Sequence, residues 1–225
     1  MGVRGSNNVQ RWLLVNVQPL FAPDSPQPHA VVASFTDISA YKDAEAHIRY
    51  LALHDALTGL PNRRQFHDRL EQAFSAADRQ NSHGALLLVD LDHFKTVNDA
   101  FGHDGGDELL IQAARTLQAV VEAEGEVARL GGDEFAVVLE QLGPDDTQAA
   151  ERAEQVAGRI LTAIARSFLL KGRDCPLSAS VGVALFSYLD EPLERFLQRA
   201  ESAMYQAKSA GRNTVRFFDP AIGRA

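Results

Sequence analysis

Apolar residues recur along this chain with two different periods, and the changes of period mark its elements. Residues 12–39, WLLVNVQPLFAPDSPQPHAVVASFTDIS, hold two strand-like runs around a proline-rich loop at 23–28. Two strands alone cannot bury both faces, so they read as the tail of a domain that begins upstream. The next stretch, AYKDAEAHIRYLALHDAL, is helical in pattern. Tyr41, Ala44, Ile48 and Leu51 are spaced 3, 4, 3. That spacing fits the seam of a short two-stranded coiled coil, and equally an amphipathic helix packed on its own domain.

From Leu57 to about Pro220 strands alternate with helices. ALLLVDLD predicts a buried strand. GDELLIQAARTLQAVV, at 106–121, predicts an amphipathic helix with Leu109, Leu110, Ala113, Leu117 and Val120 on one face. EVARL and EFAVVL are two strands joined at Gly131 and Gly132, whose tolerance of positive φ favours a tight hairpin. A long helix follows over about 145–169, then a strand over 177–186. A last helix over about 193–210 stops at Gly211, and TVRFF forms a final strand.

Composition narrows the class. The chain has 225 residues, 45% hydrophobic and 23% charged, enough for one full domain with an appendage. A net charge of -8 gives no broad electrostatic footprint for nucleic acid or an anionic membrane, so neither partner is expected of this stretch. An anionic ligand would need local cations or a metal. The single cysteine, Cys175, excludes an internal disulfide and suits a reducing compartment. No apolar run approaches the ~20 residues of a membrane helix, and MGVRGSNNVQ lacks the apolar core of a signal peptide. The chain reads as soluble and cytoplasmic, with room for membrane segments upstream in a parent protein.

Four stretches carry chemistry. RLGGDEFAVVL places Asp133 and Glu134 on the hairpin tip, either as solubilising charges or as ligands of a divalent metal. Gly131 and Gly132 would let backbone approach a phosphate closely. LLLVDLDHFKTVND ends a buried strand in Asp90, an ionised carboxylate that needs a cation. Asp92, two residues on, shares its face in extended backbone and is also well placed to cap the short helix that follows. A Mg²⁺ shared by Asp90 and Asp133 would satisfy both acids, its shell completed by phosphate oxygens and water. VNDAFGHDGGDELL pairs Asn98 with Asp107. That acid suits a helix dipole in the first turn, and with Asn98 it also suits guanine, whose N1–H and N2–H₂ one carboxylate accepts together. YQAKSAGRN puts Lys208 and Arg212 at a helix end, as solvated charges or, with Lys95, as the positive charge a triphosphate needs.

Together these residues resemble the GGDEF family, the diguanylate cyclases. DALTGLPNRRQF, DLDHFKTVND, FGHDGGDELL, RLGGDEFAVVL and AMYQAKSAGRN stand in family order and spacing between Asp55 and about Phe217. Five motifs in order are specific where one is not. The resemblance implies an α+β, sandwich-like fold: a mixed, largely antiparallel five-stranded sheet wrapped by helices, similar to nucleotidyl cyclases and the polymerase palm. It implies joining two GTP into cyclic di-GMP with release of two pyrophosphates, using Mg²⁺ or Mn²⁺. Position by position, Asp90 and Asp133 match the metal ligands, with the Leu91 carbonyl nearby and Glu134 assisting. Asp133, Glu134 and Lys95 match catalytic positions. Asn98 and Asp107 match the guanine readers, Lys95, Lys208 and Arg212 the phosphate contacts, and Phe94 the triphosphate loop, with Gly131 and Gly132 leaving room for nucleotide.

Many relatives carry an inhibitory Arg-x-x-Asp that binds product; here those positions are Glu122 and Gly125, so no product inhibition is expected there. VVASFTDISAYKDAEAHIRYLALHDALTGL resembles the end of a PAS sensor domain running into its signalling helix. The expected organisation is a partial PAS-like domain over 1–40, a linker helix over 41–54 and the cyclase domain over 55–220. One site holds one GTP while the reaction takes two, so a homodimer with facing sites is expected, its pairing set by the helical seam. A GTP-binding regulatory module without turnover is the alternative.

Overall fold

The computed structural model describes residues 2–4, 10–21, 26–122, 124–166, 168–187 and 192–219. Residues 22–25 of the proline-rich loop, and Pro220, lie outside them. The chain divides into two compact units, Met1–Ala52 and Leu53–Ala225. In the first, β1 (Gly2–Arg4), β2 (Gln10–Phe21) and β3 (Pro28–Asp37) form an antiparallel sheet in that order. β1 is too short for the apolar pattern to reveal. Leu14, Val17, Val32 and Phe35 are exposed. α1 (Ser39–Leu53) follows, and its seam residues Tyr41, Ala44, Ile48 and Leu51 are exposed as well. The helical pattern through Leu57 stops early, at Leu53. There the Asp55 carboxylate accepts from the Thr58 amide at 2.9 Å and hydroxyl at 2.6 Å, closing a turn that competes with the helix.

The second unit contains α2 (Arg63–Gln80), β4 (His83–Leu91), α3 (Phe94–Phe101), α4 (His103–Val121), β5 (Gly125–Gly131) and β6 (Glu134–Gly143), then α5 (Asp146–Ile164), β7 (Phe168–Leu170), β8 (Arg173–Cys175), β9 (Ala179–Phe186), α6 (Leu193–Ser209) and β10 (Thr214–Phe217). Five strands make one sheet in the order β10-β9-β4-β6-β5. Only β9 and β10 are parallel, joined through α6, so the fold is α+β with a mixed, largely antiparallel sheet.

β4 is apolar from Ala85 to Val89 because both of its faces are covered. Leu86 and Leu88 join Phe66, Leu70 and Phe74 of α2 and Phe196 of α6. Ala85, Leu87, Val89 and Leu91 join Leu109 and Leu117 of α4 and Val156 and Ile160 of α5. Each buried large side chain contributes about 1.5–3 kcal/mol. The alternation carries one step further: Asp90 has the parity of Leu86 and Leu88, so it points to the α2–α6 layer where the strand ends. α6 lies directly on β9, because a Cβ at Gly182 would stand 2.2 Å from the Met204 amide nitrogen and 2.4 Å from the Ala200 carbonyl oxygen.

Three elements differ from the pattern. α2 is absent from it: Asn62 caps the helix by accepting from the Arg64 and Gln65 amides, and the charged residues of RRQFHDRLEQAF mask its buried stripe of Phe66, Leu70 and Phe74. α5 ends at Ile164 instead of running to Leu169. Phe168, Leu169 and Leu170 alternate buried, exposed, buried, and Lys171 and Gly172, at φ 48° and 75°, turn them into the β7–β8 hairpin. α4 begins at His103, three residues early, which moves Asp107 out of the first turn and away from the strongest pull of the helix dipole.

One side chain ties the start of this unit to the β5–β6 hairpin. Arg129 donates to Asp55 Oδ1 at 2.9 Å and, through Nε and Nη2, to the Gly132 carbonyl at 3.2 and 2.8 Å. Its amide donates to the Pro61 carbonyl at 2.9 Å. Burial pushes the Asp55 carboxyl up, but the hydrogen bonds from Thr58 and Arg129 outweigh it and hold the group below its ordinary value. Arg129→Gln leaves a half-buried acid and a turn carbonyl without their cation. It should destabilise by about 3 kcal/mol, a fall in Tm on the order of 10 °C for a unit of this size. Because the Asp55 pKa is depressed, its contribution is fully present above the ordinary value of 3.8 and is lost as pH falls through the lower folded one. The Tm gap between wild type and Asp55→Asn should therefore be full at neutral pH and close on acidification below 3.8. Gly182→Ala drives a methyl into α6 backbone and should cost about 2 kcal/mol, read by thermal melting.

Candidate active site

Three turns meet at the end of β4. Asp90 is opposite Glu134 on one side and Ser180 on the other, and the Leu91 amide donates to the Asp133 carbonyl at 3.2 Å. The hairpin tip therefore lies beside the strand end, bringing Asp90, Leu91, Asp133 and Glu134 together. Gly131 and Gly132 make the turn at φ 140° and 54°, and a Cβ built at either meets nothing within 4 Å. The front of the tip is open space.

Asp90 is buried, 5% exposed, while Asp133 and Glu134 are half-buried. Burial pushes the Asp90 carboxyl above its ordinary value. A hydrogen bond from Lys208 opposes this, and the charges of Asp133 and Glu134 add to it. Lys208 Nζ reaches Asp90 Oδ2 at 2.6 Å, so it is the counter-charge of the buried acid instead of a solvated cation. Arg63 Nη2 lies 4.0 Å from Glu134 Oε2, so two cations face the three acids and one negative charge is left over. Among the described residues no three His, Cys, Asp or Glu side chains converge as a complete metal cluster. An incomplete set of carboxylates with surplus negative charge fits Mg²⁺ or Mn²⁺, ions that fill their shells from phosphate oxygens and water.

Beyond β4, His93 at φ 61° turns the chain into α3 without a side-chain cap. Asp92 is thus not the cap of α3. It turns back to the sheet, accepting from Ser178 Oγ and Ser180 Oγ at 2.6 and 2.7 Å. α3 carries Phe94, Lys95 and Asn98. A Cβ at Gly106 would stand 1.9 Å from Asn98 Oδ1 and 3.2 Å from Phe94 Cζ, so a side chain there would push Asn98 out of its place. Asn98 and Phe94 are thereby pressed against the residue next to Asp107. Asp107 itself is exposed, so a buried environment for it would have to be completed by a base lying over it. Lys95 and Arg212 are exposed, and Arg212 Nε lies 4.0 Å from Asp92 Oδ1.

Sequence reasoning missed the Arg129–Asp55 clamp and the serines that hold Asp92. A signal for the second was present: Ser178 and Ser180 recur at a period of two in an otherwise apolar strand. Ser180 is fully buried, and a buried hydroxyl needs a partner.

At the opposite end of the hairpin a cavity of about 670 Å³ is lined by Arg69, Gly125, Glu126, Glu140 and Arg152 among others. Glu122 ends α4 and is exposed. A Cβ at Gly125 would stand 2.3 Å from the Val138 carbonyl oxygen, so β5 and β6 are too close there for any side chain. No helix among the described residues is long and apolar enough to cross a membrane.

Comparison with known proteins places the chain in a family. The model of the family described as "Diguanylate cyclase, GGDEF domain" matches residues 52–214. The bifunctional diguanylate cyclase/cyclic di-GMP phosphodiesterase MucR of Pseudomonas aeruginosa is 44% identical over 172 residues, covering 76% of this chain and 24% of that protein. The cyclic di-GMP phosphodiesterase NbdA of the same organism is 37% identical over 175 residues, 78% of this chain and 22% of that protein. The chain thus spans about a quarter of the length of these two relatives. A solved structure of the GGDEF domain of TpbB (YfiN) from Pseudomonas aeruginosa superposes with a TM-score of 0.69 at 34% identity, covering 76% of this chain and 99% of that one. With its fold, its motifs and a matching family model over most of its length, the chain belongs to the GGDEF-domain family, the diguanylate cyclases.

Proposed function

We propose that this chain condenses two GTP into cyclic di-GMP and two pyrophosphates at a site shared by two copies. The observation that carries the reading is the buried Asp90, set beside Asp133 and Glu134 under an open glycine tip and countered by a single ammonium. Asp90, Asp133 and Glu134, with the Leu91 carbonyl, are the residues that would hold Mg²⁺ or Mn²⁺. When bound, the ion would lower the pKa of the 3′-hydroxyl and neutralise charge on the α-phosphate. Lys95, Lys208 and Arg212 bind the triphosphate, and Phe94 lies along it. Asn98 and Asp107 hold guanine, with Asp107 accepting from N1–H and N2–H₂.

The 3′-oxygen of one nucleotide attacks the α-phosphorus of the other, and the bond to the pyrophosphate oxygen breaks. The 3′-hydroxyl proton leaves to the carboxylates at the tip. A second, symmetric transfer closes the ring. One site orients one nucleotide, so pairing of two chains supplies the proximity that the reaction needs. The exposed seam of Tyr41, Ala44, Ile48 and Leu51 supports residues 41–54 as the signalling helix that sets this pairing. Residues 1–40 read as the C-terminal part of a PAS-like domain and 55–220 as the cyclase domain. The crowding at Gly125 supports the absence of product inhibition through Glu122 and Gly125.

A second reading is a GTP-binding module without turnover. It is favoured by the similarity to NbdA, a protein named for phosphodiesterase activity. Chromatography after incubation with GTP and Mg²⁺ separates the two: cyclic di-GMP rising faster than linearly with protein is expected, and nucleotide binding without product would select the module. Charged residues at Ile48 and Leu51 should lower activity at low protein concentration. Asp107→Ser should let ATP compete with GTP, and strict GTP use by that variant would remove Asp107 as the reader.

Asp90 offers a test with two readouts. Its pKa is raised, so its ionised form lowers stability at neutral pH and that penalty is relieved as pH falls. Asp90→Asn should therefore melt no lower than wild type at pH 7, while product formation drops by about 100-fold or more.

A further inference from the structure

Asp92 stands two residues beyond Asp90 and is 3% exposed. Its carboxylate accepts three hydrogen bonds. Ser178 Oγ donates to Oδ2 at 2.6 Å, Ser180 Oγ to Oδ1 at 2.7 Å, and the Asn213 amide to Oδ2 at 3.1 Å. Arg212 Nε approaches Oδ1 at 4.0 Å, and the Asp92 amide donates to the Ser178 carbonyl at 2.9 Å. Two strands and one turn are thus joined through one acid.

The turn is the unusual partner. Gly211, Arg212 and Asn213 have φ of 107°, 64° and 47°, three successive residues in the left-handed half of the map with only the first a glycine. Other residues keep that conformation only where their surroundings over-determine it. Here the Arg212 amide donates back to the Ala207 carbonyl at 3.2 Å, and the Asn213 amide is fixed by the buried carboxylate. The same turn presents Arg212, and one helical turn before it Lys208 sits on Asp90.

We propose that Asp92 is a positioning residue: it pins the 211–213 turn to the sheet and so sets Arg212 and Lys208 where a triphosphate must lie. This rests on the reading of those two cations as phosphate contacts. A carboxylate has roughly four lone-pair sites; the serines and the Asn213 amide fill three of Asp92's, and Arg212 stands 4.0 Å from Oδ1. That engagement sets Asp92 apart from Asp90, whose carboxylate accepts from Lys208.

The test is ligand binding by the full chain, with 3′-deoxy-GTP as a probe that cannot turn over and guanosine as a probe without phosphate. Asp92→Asn should weaken 3′-deoxy-GTP about tenfold, the worth of one charge-assisted hydrogen bond, and leave guanosine unchanged. Ser180→Ala, a milder variant that decides the matter if Asp92→Asn does not fold, should weaken 3′-deoxy-GTP about threefold in the same selective way. In a background carrying both Arg212→Ala and Lys208→Ala, Asp92→Asn should add less than twofold. Equal losses for both probes would reduce Asp92 to general scaffolding and overturn the proposal. So would unchanged 3′-deoxy-GTP binding, or a loss seen only with Mg²⁺ present, which would make Asp92 a metal ligand. If Arg212→Ala and Lys208→Ala themselves leave 3′-deoxy-GTP binding intact, the underlying reading of the cations fails. A loss with those two variants but none with Asp92→Asn overturns the positioning role alone.

Discussion

A carboxylate at the end of a fully buried strand is the constraint around which this unit is arranged. β4 must be apolar on both faces to sit in the middle of the sheet, and the same alternation that buries Leu86 and Leu88 delivers Asp90 into a poorly solvated position. The neighbouring hairpin adds two further acids where a stability-minded design would place a neutral or basic residue. Lys208 offsets part of the charge from across the α6 layer, and Arg63 lies 4.0 Å from Glu134 Oε2 at the exposed edge. Acids gathered in this way, one of them buried with a raised pKa, lower stability and are a common mark of functional sites.

The acids are useful only if their turns are rigid, and each turn is held from behind. Arg129 grips the Gly132 carbonyl and is gripped in turn by Asp55, so the hairpin tip is braced by the residues that open the unit. Gly106 leaves Asn98 and Phe94 their places against α4. Asp92 brackets the end of α6. The chemistry-bearing side chains stand at the ends of strands and helices and in the turns between them, which is where α/β sheets gather their sites.

Much of this was legible in the order of residues. The apolar run of β4, the Gly131–Gly132 turn and the stripe of α4 are local periodic signals, and the acids were conspicuous because they interrupt such signals. What was hidden depends on distance along the chain. Asp55 and Arg129 are 74 positions apart, and Asp92 and Asn213 are 121 apart, so no window of local pattern joins them. α2 was obscured for a different reason: its polar face is so highly charged that three buried residues in a turn-spaced row do not stand out. β7 was lost because three apolar residues continue a helical stripe as readily as they start a strand, and only the Lys171–Gly172 turn tells them apart. Asp92 misled because an acid before a short helix has an ordinary use as its cap; the left-handed His93 removes that use.

The closeness of β5 and β6 at Gly125 bears on what this lineage can become. An aspartate at that position is not one substitution away from usefulness, since its Cβ would collide with the Val138 backbone and not with a side chain able to swing aside. Gaining a product-sensing acid there would first require the two strands to part, and they are locked by ladder pairs from Gly125 through Arg129. Intermediates would carry the disruption without the benefit. A side chain at this end of the hairpin therefore costs a rearrangement of two paired strands, and not the movement of one rotamer.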